Sequence, residues 1–377
     1  MRQFFVTLAL ACCFALGAGI ASAQEPLRIG FGGALLGDLA SYGLSNLYGV
    51  EYAIDEVNAS GGVLGQQVVL VQEDDSCEAD LAAQAAAKLI SAGLKLVLGH
   101  SCSGATIRAL SVYGNNALVI SSSSTDNNLT DDGLRPYFFR TTPRDDAQSA
   151  LQYGLIKQKG FKKIAILHDA GDHGSAMAIL AETAIKEDPD YGAELVLIES
   201  LTAGEISFDE LIAKIKGAAA DAIVWGGYYN DAAKLAIGLK EQGVTAPLIG
   251  ADGLFNERFI SLGEPAVEGS FVTGQNDFSL SEAGQKAIAN HKTRHAEDIG
   301  PYFFYSAGAA QALFAAVEKA GSATDLDLIK KHLQEDTVET VMGPIRFDAK
   351  GDIIGAGFKL YEVKGGKFVE VRLDAAP

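Results

Sequence analysis

Positive charge, cysteine and long apolar stretches are all scarce in this sequence. Lys and Arg number 30 against 48 Asp and Glu, a formal net charge of −18. So acidic a chain argues against nucleic acid and anionic membrane surfaces as partners, and for a soluble, dispersed protein. Beyond the N-terminus no apolar run is long enough for a membrane span. There is no repeat at solenoid period, no low-complexity tract and no linker rich in Pro or Ser. Only four cysteines occur, and two of them, Cys12 and Cys13, fall within the first 23 residues.

Those residues form a basic start at Arg2, an apolar run from Phe4 to Ala21, and the small-residue exit Ala21-Ser22-Ala23. This is the pattern of a secretory signal peptide, residues 1–23, cleaved after Ala23. A retained membrane anchor and a lipid anchor on Cys12 or Cys13 are the competing readings. The single flanking charge and the small-residue exit favour cleavage over the first. Ala9, where a lipoprotein signal wants a large aliphatic, weakens the second. Export would leave Cys77 and Cys102, and an even count in an exported chain favours a disulfide over free thiols or a metal site. Gln24 to Pro377 is long enough for about two domains.

Strand-like and helix-like segments then alternate. Leu27 to Gly33 reads as a strand, and Leu47, Val50, Ile54 and Val57 mark one face of a helix. Gln67 to Asp74, an Ala-rich helix from Asp80, and Leu94 to His100 make a βαβ unit with a cysteine beyond each strand. Ala117 to Ser122 and Tyr137 to Thr142 follow as strands. A second series begins with the strand Lys163 to His168 and runs through Ala222 to Gly226, Pro247 to Gly250 and Gly269 to Thr273. Helices of this length between strands imply parallel sheets. Two series of similar size imply an α/β chain of two doubly wound lobes, and the lack of a linker implies several crossings between them. Phe358 to Val363 and Phe368 to Leu373 read as a closing hairpin.

Candidate chemistry collects at the strand ends. Gly30-Phe31-Gly32-Gly33 suggests a dinucleotide loop, but Leu35 replaces its third glycine and Asp38 to Gly43 reads as loop rather than helix. Gly99-His100-Ser101-Cys102-Ser103 approaches a nucleophile elbow, with Ser101 as the nucleophile and Ser103 where the last glycine belongs. It fits an anion site better, since Ser103 would open a helix whose free N–H groups and dipole favour a carboxylate. A helix cap without any ligand is the plainer reading of Ser103 alone. Ser121-Ser122-Ser123-Ser124-Thr125 ends the next strand and offers convergent hydroxyls, or only a solvated loop. His168-Asp169 and Asp172-His173 match no common metal spacing, and His291 with His295 reads as an exposed helix face. Trp225 to Tyr229 and Asp252 end strands of the second series; core packing accounts for Trp225 but not for Asp252 among small residues.

Val57-Asn58-Ala59-Ser60-Gly61-Gly62, Asp74-Asp75-Ser76-Cys77, Gly99 to Ser103 and Phe139-Arg140-Thr141-Thr142 together resemble the periplasmic leucine/isoleucine/valine-binding proteins, type I solute-binding proteins of ATP-driven transporters. Gly226-Gly227-Tyr228, Thr340 to Pro344 and Phe347 to Asp352 extend the likeness over nearly the whole chain. The resemblance implies two Rossmann-like lobes, 24–142 plus 274–342 and 143–273 plus 343–377, joined by three crossovers near Thr142, Thr273 and Gly343. It implies that Ser103 and Thr125 hold a ligand α-carboxylate, that the Ser123 carbonyl and Asp252 hold its α-ammonium, and that Tyr42 and Tyr228 wall the pocket. Cys102 and Ser124 complete the expected set, and Cys77–Cys102 would match the family's disulfide.

The chain departs from that family at Asp252, where a Glu is usual, at His173 for a tyrosine, at Ser101 for a leucine and at Ala307 for an aromatic. The resemblance therefore implies an amino-acid clamp with a less greasy side-chain pocket. The expected protein is a periplasmic monomer that feeds a free L-α-amino acid to the membrane permease of an ABC transporter, without catalysis, cofactor, metal or nucleic acid. A binder of amides, urea or another small polar solute is the alternative, and a secreted serine hydrolase using Ser101 the third.

Overall fold

The computed structural model describes residues 25–201 and 207–374; the expected signal peptide and its cleavage site lie outside them. Five strands, β1 (Leu27–Gly33), β2 (Val68–Asp74), β3 (Leu96–Gly99), β4 (Leu118–Ser121) and β5 (Phe138–Arg140), form a parallel sheet in the order β2-β1-β3-β4-β5. Helices α1 (Ala40–Ala59), α2 (Ala79–Ser91) and α3 (Ser103–Tyr113) cross over between them, and the single turn α4 (Asn128–Asp131) precedes β5.

The second lobe starts at α5 (Asp145–Lys159). Its parallel strands are β6 (Lys163–His168), β7 (Glu194–Ser200), β8 (Ala222–Gly226), β9 (Leu248–Gly250) and β10 (Phe271–Gln275), with helices α6 (Asp172–Lys186), α7 (Asp209–Ala218), α8 (Tyr229–Glu241) and α9 (Glu257–Gly263). The chain then returns through α10 (Glu282–Arg294), α11 (Phe303–Ala320) and α12 (Leu326–Glu335) to the first lobe, where α11 packs along α1. A small antiparallel pair, β11 (Val338–Thr340) and β12 (Gly343–Ile345), follows. The hairpin β13 (Phe358–Val363) and β14 (Phe368–Val371) closes the second sheet, in the order β14-β13-β10-β9-β8-β6-β7.

Strands buried on both faces read as continuous apolar runs, because crossover helices cover each side of a parallel sheet. In β6, Ile164 and Ile166 face one core with Ala178 and Ile185, while Ala165 and Leu167 face the other with Trp225 and Leu235. In the first lobe Ile29, Leu98 and Ile120 meet α1 and α11, and Val97 and Val119 meet the alanines of α2 and α3. Small residues on those helices let them lie close to the sheet and to each other.

The chain passes between the lobes three times: after β5, after β10 and before β13. The third passage lies later than Gly343. Ile345 and Phe347 are buried in the first lobe's core, Ile353 packs against it, and Asp352 bridges to Arg140 at the end of β5. Apolar side chains at 345, 347 and 353 bind this stretch to the first lobe, so residues 343–353 belong there and the crossing falls just before Phe358. Cys77 and Cys102 are bonded, with Cα atoms 5.4 Å apart. The strands they follow are not neighbours, since β1 lies between β2 and β3; the disulfide joins the loops on either side of β1.

Candidate functional site

The carboxyl ends of both parallel sheets face one another across the interlobe cleft, where open α/β sheets offer their loops to ligands. A narrow space lies between them, with a cavity volume of only about 10 Å³. Its walls are Tyr42, Ser101, Cys102, Ser103, Ser123 and Thr125 from the first lobe and His173, Tyr228, Asp252 and Gly253 from the second, with Tyr302. The lobes are closed down so far that a ligand can enter only when they part. A larger groove, about 1260 Å³, runs outside past Tyr48, Lys234 and Phe255; it is open to solvent and contains none of Ser103, Thr125 or Asp252.

Ser103 is the first residue of α3, so unpaired backbone N–H groups and the positive end of the helix dipole meet at the site. Its hydroxyl oxygen accepts from the backbone N–H of Thr125 at 3.2 Å and of Asp126 at 3.3 Å, leaving its own hydrogen to donate. Ser123 Oγ donates to the Ser101 carbonyl at 2.7 Å and accepts from Asn46 Nδ2 at 2.8 Å. Ser124 differs from its neighbours. Its hydroxyl lies 2.6 Å from Thr106 Oγ1 and 3.2 Å from the His100 carbonyl, inside the lobe rather than in the cleft. Successive residues of an extended segment point to opposite sides, so the hydroxyl run divides between the site and the core.

Across the cleft, Asp252 is held by three donors. Gln148 Nε2 gives to Oδ1 at 2.9 Å, and Tyr302 Oη and Gln275 Nε2 give to Oδ2 at 2.8 and 3.2 Å. Burial raises its pKa and Asp145 adds to the rise, against the lowering influence of His173 and these donors. His173 lies between the two carboxylates. Its Nδ1 is 3.4 Å from Asp145 Oδ2 and also 3.4 Å from Thr125 Oγ1, and its Nε2 is 3.8 Å from Asp252 Oδ1. Burial works against a charge on this ring, but Asp145, then Asp252 and Asp169, outweigh it and push the pKa up to about 9. Asp145, fully buried, is opposed by the same desolvation, yet His173 holds its carboxyl below the usual range.

Tyr42 sits in the first turn of α1, which begins within the stretch that reads as loop. Its ring centroid lies 5.9, 5.5 and 5.8 Å from those of Tyr228, Tyr229 and Tyr302, an aromatic cluster that closes one side of the space. Tyr302 and Asp145 are the site residues that local pattern misses. Ala307, expected as a missing pocket aromatic, lies in α11 against Tyr52 and Phe303, away from the cleft; the pocket has its aromatic in Tyr302.

Residues 26–367 match the family model described as periplasmic binding protein. The chain is 31% identical to the Leu/Ile/Val-binding protein of Citrobacter freundii, over 94% of this chain and 95% of that one. It is 30% identical to the leucine-specific-binding protein of Salmonella typhimurium, over 92% and 94%. Among solved structures it superposes on the LivJ substrate-binding protein of Streptococcus pneumoniae, in complex with isoleucine, with a TM-score of 0.80, 26% identity and coverage of 92% and 100%. The chain belongs to the periplasmic binding proteins, in the leucine/isoleucine/valine-binding family.

Other chemistries fit this periplasmic binding protein poorly. His100 cannot serve Ser101 as a base: its Nδ1 lies 2.5 Å from Asp75 Oδ2 and its Nε2 3.0 Å from Tyr113 Oη, both fully inside the lobe. Gly32 and Gly33 make room for the His100 ring and the Ser101 hydroxyl rather than for a phosphate. Among the described residues, Asp145, His173 and Asp252 form the one close group of histidine and carboxylates. The imidazole presents one nitrogen to each carboxylate, Nδ1 to Asp145 and Nε2 to Asp252, an arrangement that pairs charge across the ring. His291 is buried rather than exposed, its Nε2 2.8 Å from the Glu297 carbonyl, and His295 meets Glu51 Oε2 at 2.9 Å.

Proposed function

We propose that the protein is the amino-acid-binding component of an ABC-type transport system and clamps a free L-α-amino acid between its lobes. Ser103, Thr125 and the N-terminus of α3 take the carboxylate; Asp252 and the Ser123 carbonyl take the ammonium; Tyr42, Tyr228 and Tyr302 wall the side chain. The observation that carries this reading is the buried Asp252 carboxylate facing a helix N-terminus across a narrow space. A zwitterion meets an opposite charge or dipole at each end there. One charge pair at about 4 Å and an effective dielectric of roughly 20 is worth about 4 kcal/mol before desolvation.

The relatives' names and the bound isoleucine of the LivJ structure support an amino acid as the ligand. Residues 1–23, with the family's periplasmic placement, support export with cleavage after Ala23, and the family's role supports delivery to a membrane permease. Binding is then a shift from parted to closed lobes. Calorimetric titration with the twenty L-amino acids tests the reading. At least one should bind, and its N-acetyl derivative, which has no ammonium, should bind far more weakly. Equal affinity for the two would point instead to the amide or urea reading.

A further inference from the structure

His173 lines the space between the lobes and is 4% exposed, and its Nε2 is buried without a hydrogen-bond partner. The other ring nitrogen faces Asp145 Oδ2 and Thr125 Oγ1. The Asp145 carboxylate, nearer to Nδ1 than Asp252 is to Nε2, favours by its charge the neutral tautomer with hydrogen on Nδ1 and a lone pair on Nε2. That lone pair lies 3.8 Å from Asp252 Oδ1. Two acceptors this far apart can both receive N–H groups of one ammonium, which carries three diverging donors.

We propose that neutral His173 is a second acceptor for the ligand's ammonium beside Asp252, so that closing the cleft on an amino acid expels the proton carried by Nε2. The inference rests on the amino-acid reading above and adds a residue and a proton to it. In the step, the N–H bond at Nε2 breaks, its electron pair stays on the ring, and the proton leaves for solvent. The ligand's N–H then points into the lone pair, while Nδ1–H stays between Thr125 Oγ1 and the Asp145 carboxylate. Asp145 acts here as a positioning residue.

Charge at the site favours the exchange. Without a ligand the ring is a cation held by carboxylates from every side: Asp145 at the start of α5, Asp252 after β9, Asp169 after β6 and Asp126 after β4. Asp172 precedes it on α6, the Tyr228 ring is 5.7 Å away, and Arg140 acts on Asp145 and Asp126. Against the ring's own burial, Asp145, then Asp252 and Asp169, push the imidazole pKa up to about 9, so the ring carries its proton at neutral pH. An ammonium arriving at Asp252 lies beside the imidazolium, and two neighbouring cations in a dry space repel. Losing the ring proton removes that repulsion and supplies an acceptor.

The test is calorimetry of the full mature protein with L-leucine, L-alanine and L-serine, each run in buffers of different ionisation enthalpy. Close to one proton should be released per ligand at pH 7, with the release fading above about pH 9. Affinity should rise about tenfold per pH unit between pH 6 and 8. His173→Gln should lose both the release and most of the slope. Should that variant fail to fold, nitrogen-15 spectra of the wild type decide. The His173 ring should carry two N–H groups when free and only the one on Nδ1 when ligated. Binding without proton release, or a ring that stays doubly protonated, overturns the inference and leaves the amino-acid reading standing. Release that persists in His173→Gln overturns it too, because the proton then comes from another group. No binding by any of the twenty amino acids overturns both readings.

Discussion

Tyr42 of the first lobe donates its phenolic hydrogen to the Gly253 carbonyl of the second at 2.6 Å. Both lie beside the ligand space, and Gly253 follows Asp252 in sequence. The bond exists only when the lobes are together, as do those from Tyr229 Oη to the Asp38 carbonyl at 2.6 Å and from Asn256 Nδ2 to Ser41 Oγ at 3.1 Å. Part of the closing free energy thus comes from lobe-to-lobe contacts rather than from ligand.

Tyr42→Phe should weaken binding of the best amino acid about 2- to 10-fold, the net worth of one hydrogen bond. The melting temperature without ligand should hardly move, because on opening the Gly253 carbonyl finds water. Calorimetry and thermal melting of the variant provide the check; an unchanged affinity would show that the bond has no part in closure.

Asp252→Ala should raise the free energy of binding by roughly 2–5 kcal/mol, since an unpaired ammonium in a closed cleft keeps its desolvation penalty. Ser103→Ala should lose less, roughly 1–3 kcal/mol, because the N–H groups of α3 still face the carboxylate. Titration of both variants ranks the two ends. An Asp252→Ala protein that binds as well as wild type would place the ammonium elsewhere.

The exported protein should lack residues 1–23 and carry Cys77 bonded to Cys102. Closing a loop with a sequence separation of 25 contributes roughly 3 kcal/mol in the chain-entropy estimate. Intact mass before and after reduction reads both features, and reduction should lower the melting temperature. Two titratable thiols in the native exported protein would contradict it.

No esterase activity should be found in the wild type or in Ser101→Ala, because the His100 ring is committed to Asp75 and Tyr113. Generic ester substrates suffice. An activity that vanishes in the variant would revive the hydrolase reading.

Stability without ligand should fall as pH rises from about 6.5 through about 9. His173 is raised in the folded state, so it holds its proton more tightly there than in the unfolded chain. Its contribution is therefore complete below the unfolded value and lost through the folded one, up to about 3 kcal/mol by linkage. Asp145 works on the acid side with the opposite sign: its lowered pKa gives stability above the ordinary carboxylate range that acid removes. Melting temperatures of wild type and His173→Gln between pH 6.5 and 9 provide the check; the wild-type decline should flatten in the variant.

The order and kind of the elements were legible in the chain. The bounds of β1, β6, β8 and β13 coincide with those read from sequence, because strands of a packed sheet leave local apolar marks. The polar residues at strand ends, Ser103, Thr125, His173 and Asp252, were also visible, as chemistry in places where a core needs none. What only tertiary structure decided is which groups those residues meet. Ser123 and Ser124 are equivalent in the sequence, yet the first borders the cleft and the hydroxyl of the second meets Thr106 inside the lobe. Asp145 opens a helix like any acidic residue in a first turn, and becomes part of the site only because α6 brings His173 to it. Tyr302 reaches Asp252 from the other lobe across 50 residues of chain, and Ile345 and Phe347 hold their segment to the first core beyond the expected crossing. A local pattern records that a position is buried; the partner it is buried against is set by where distant strand ends come together.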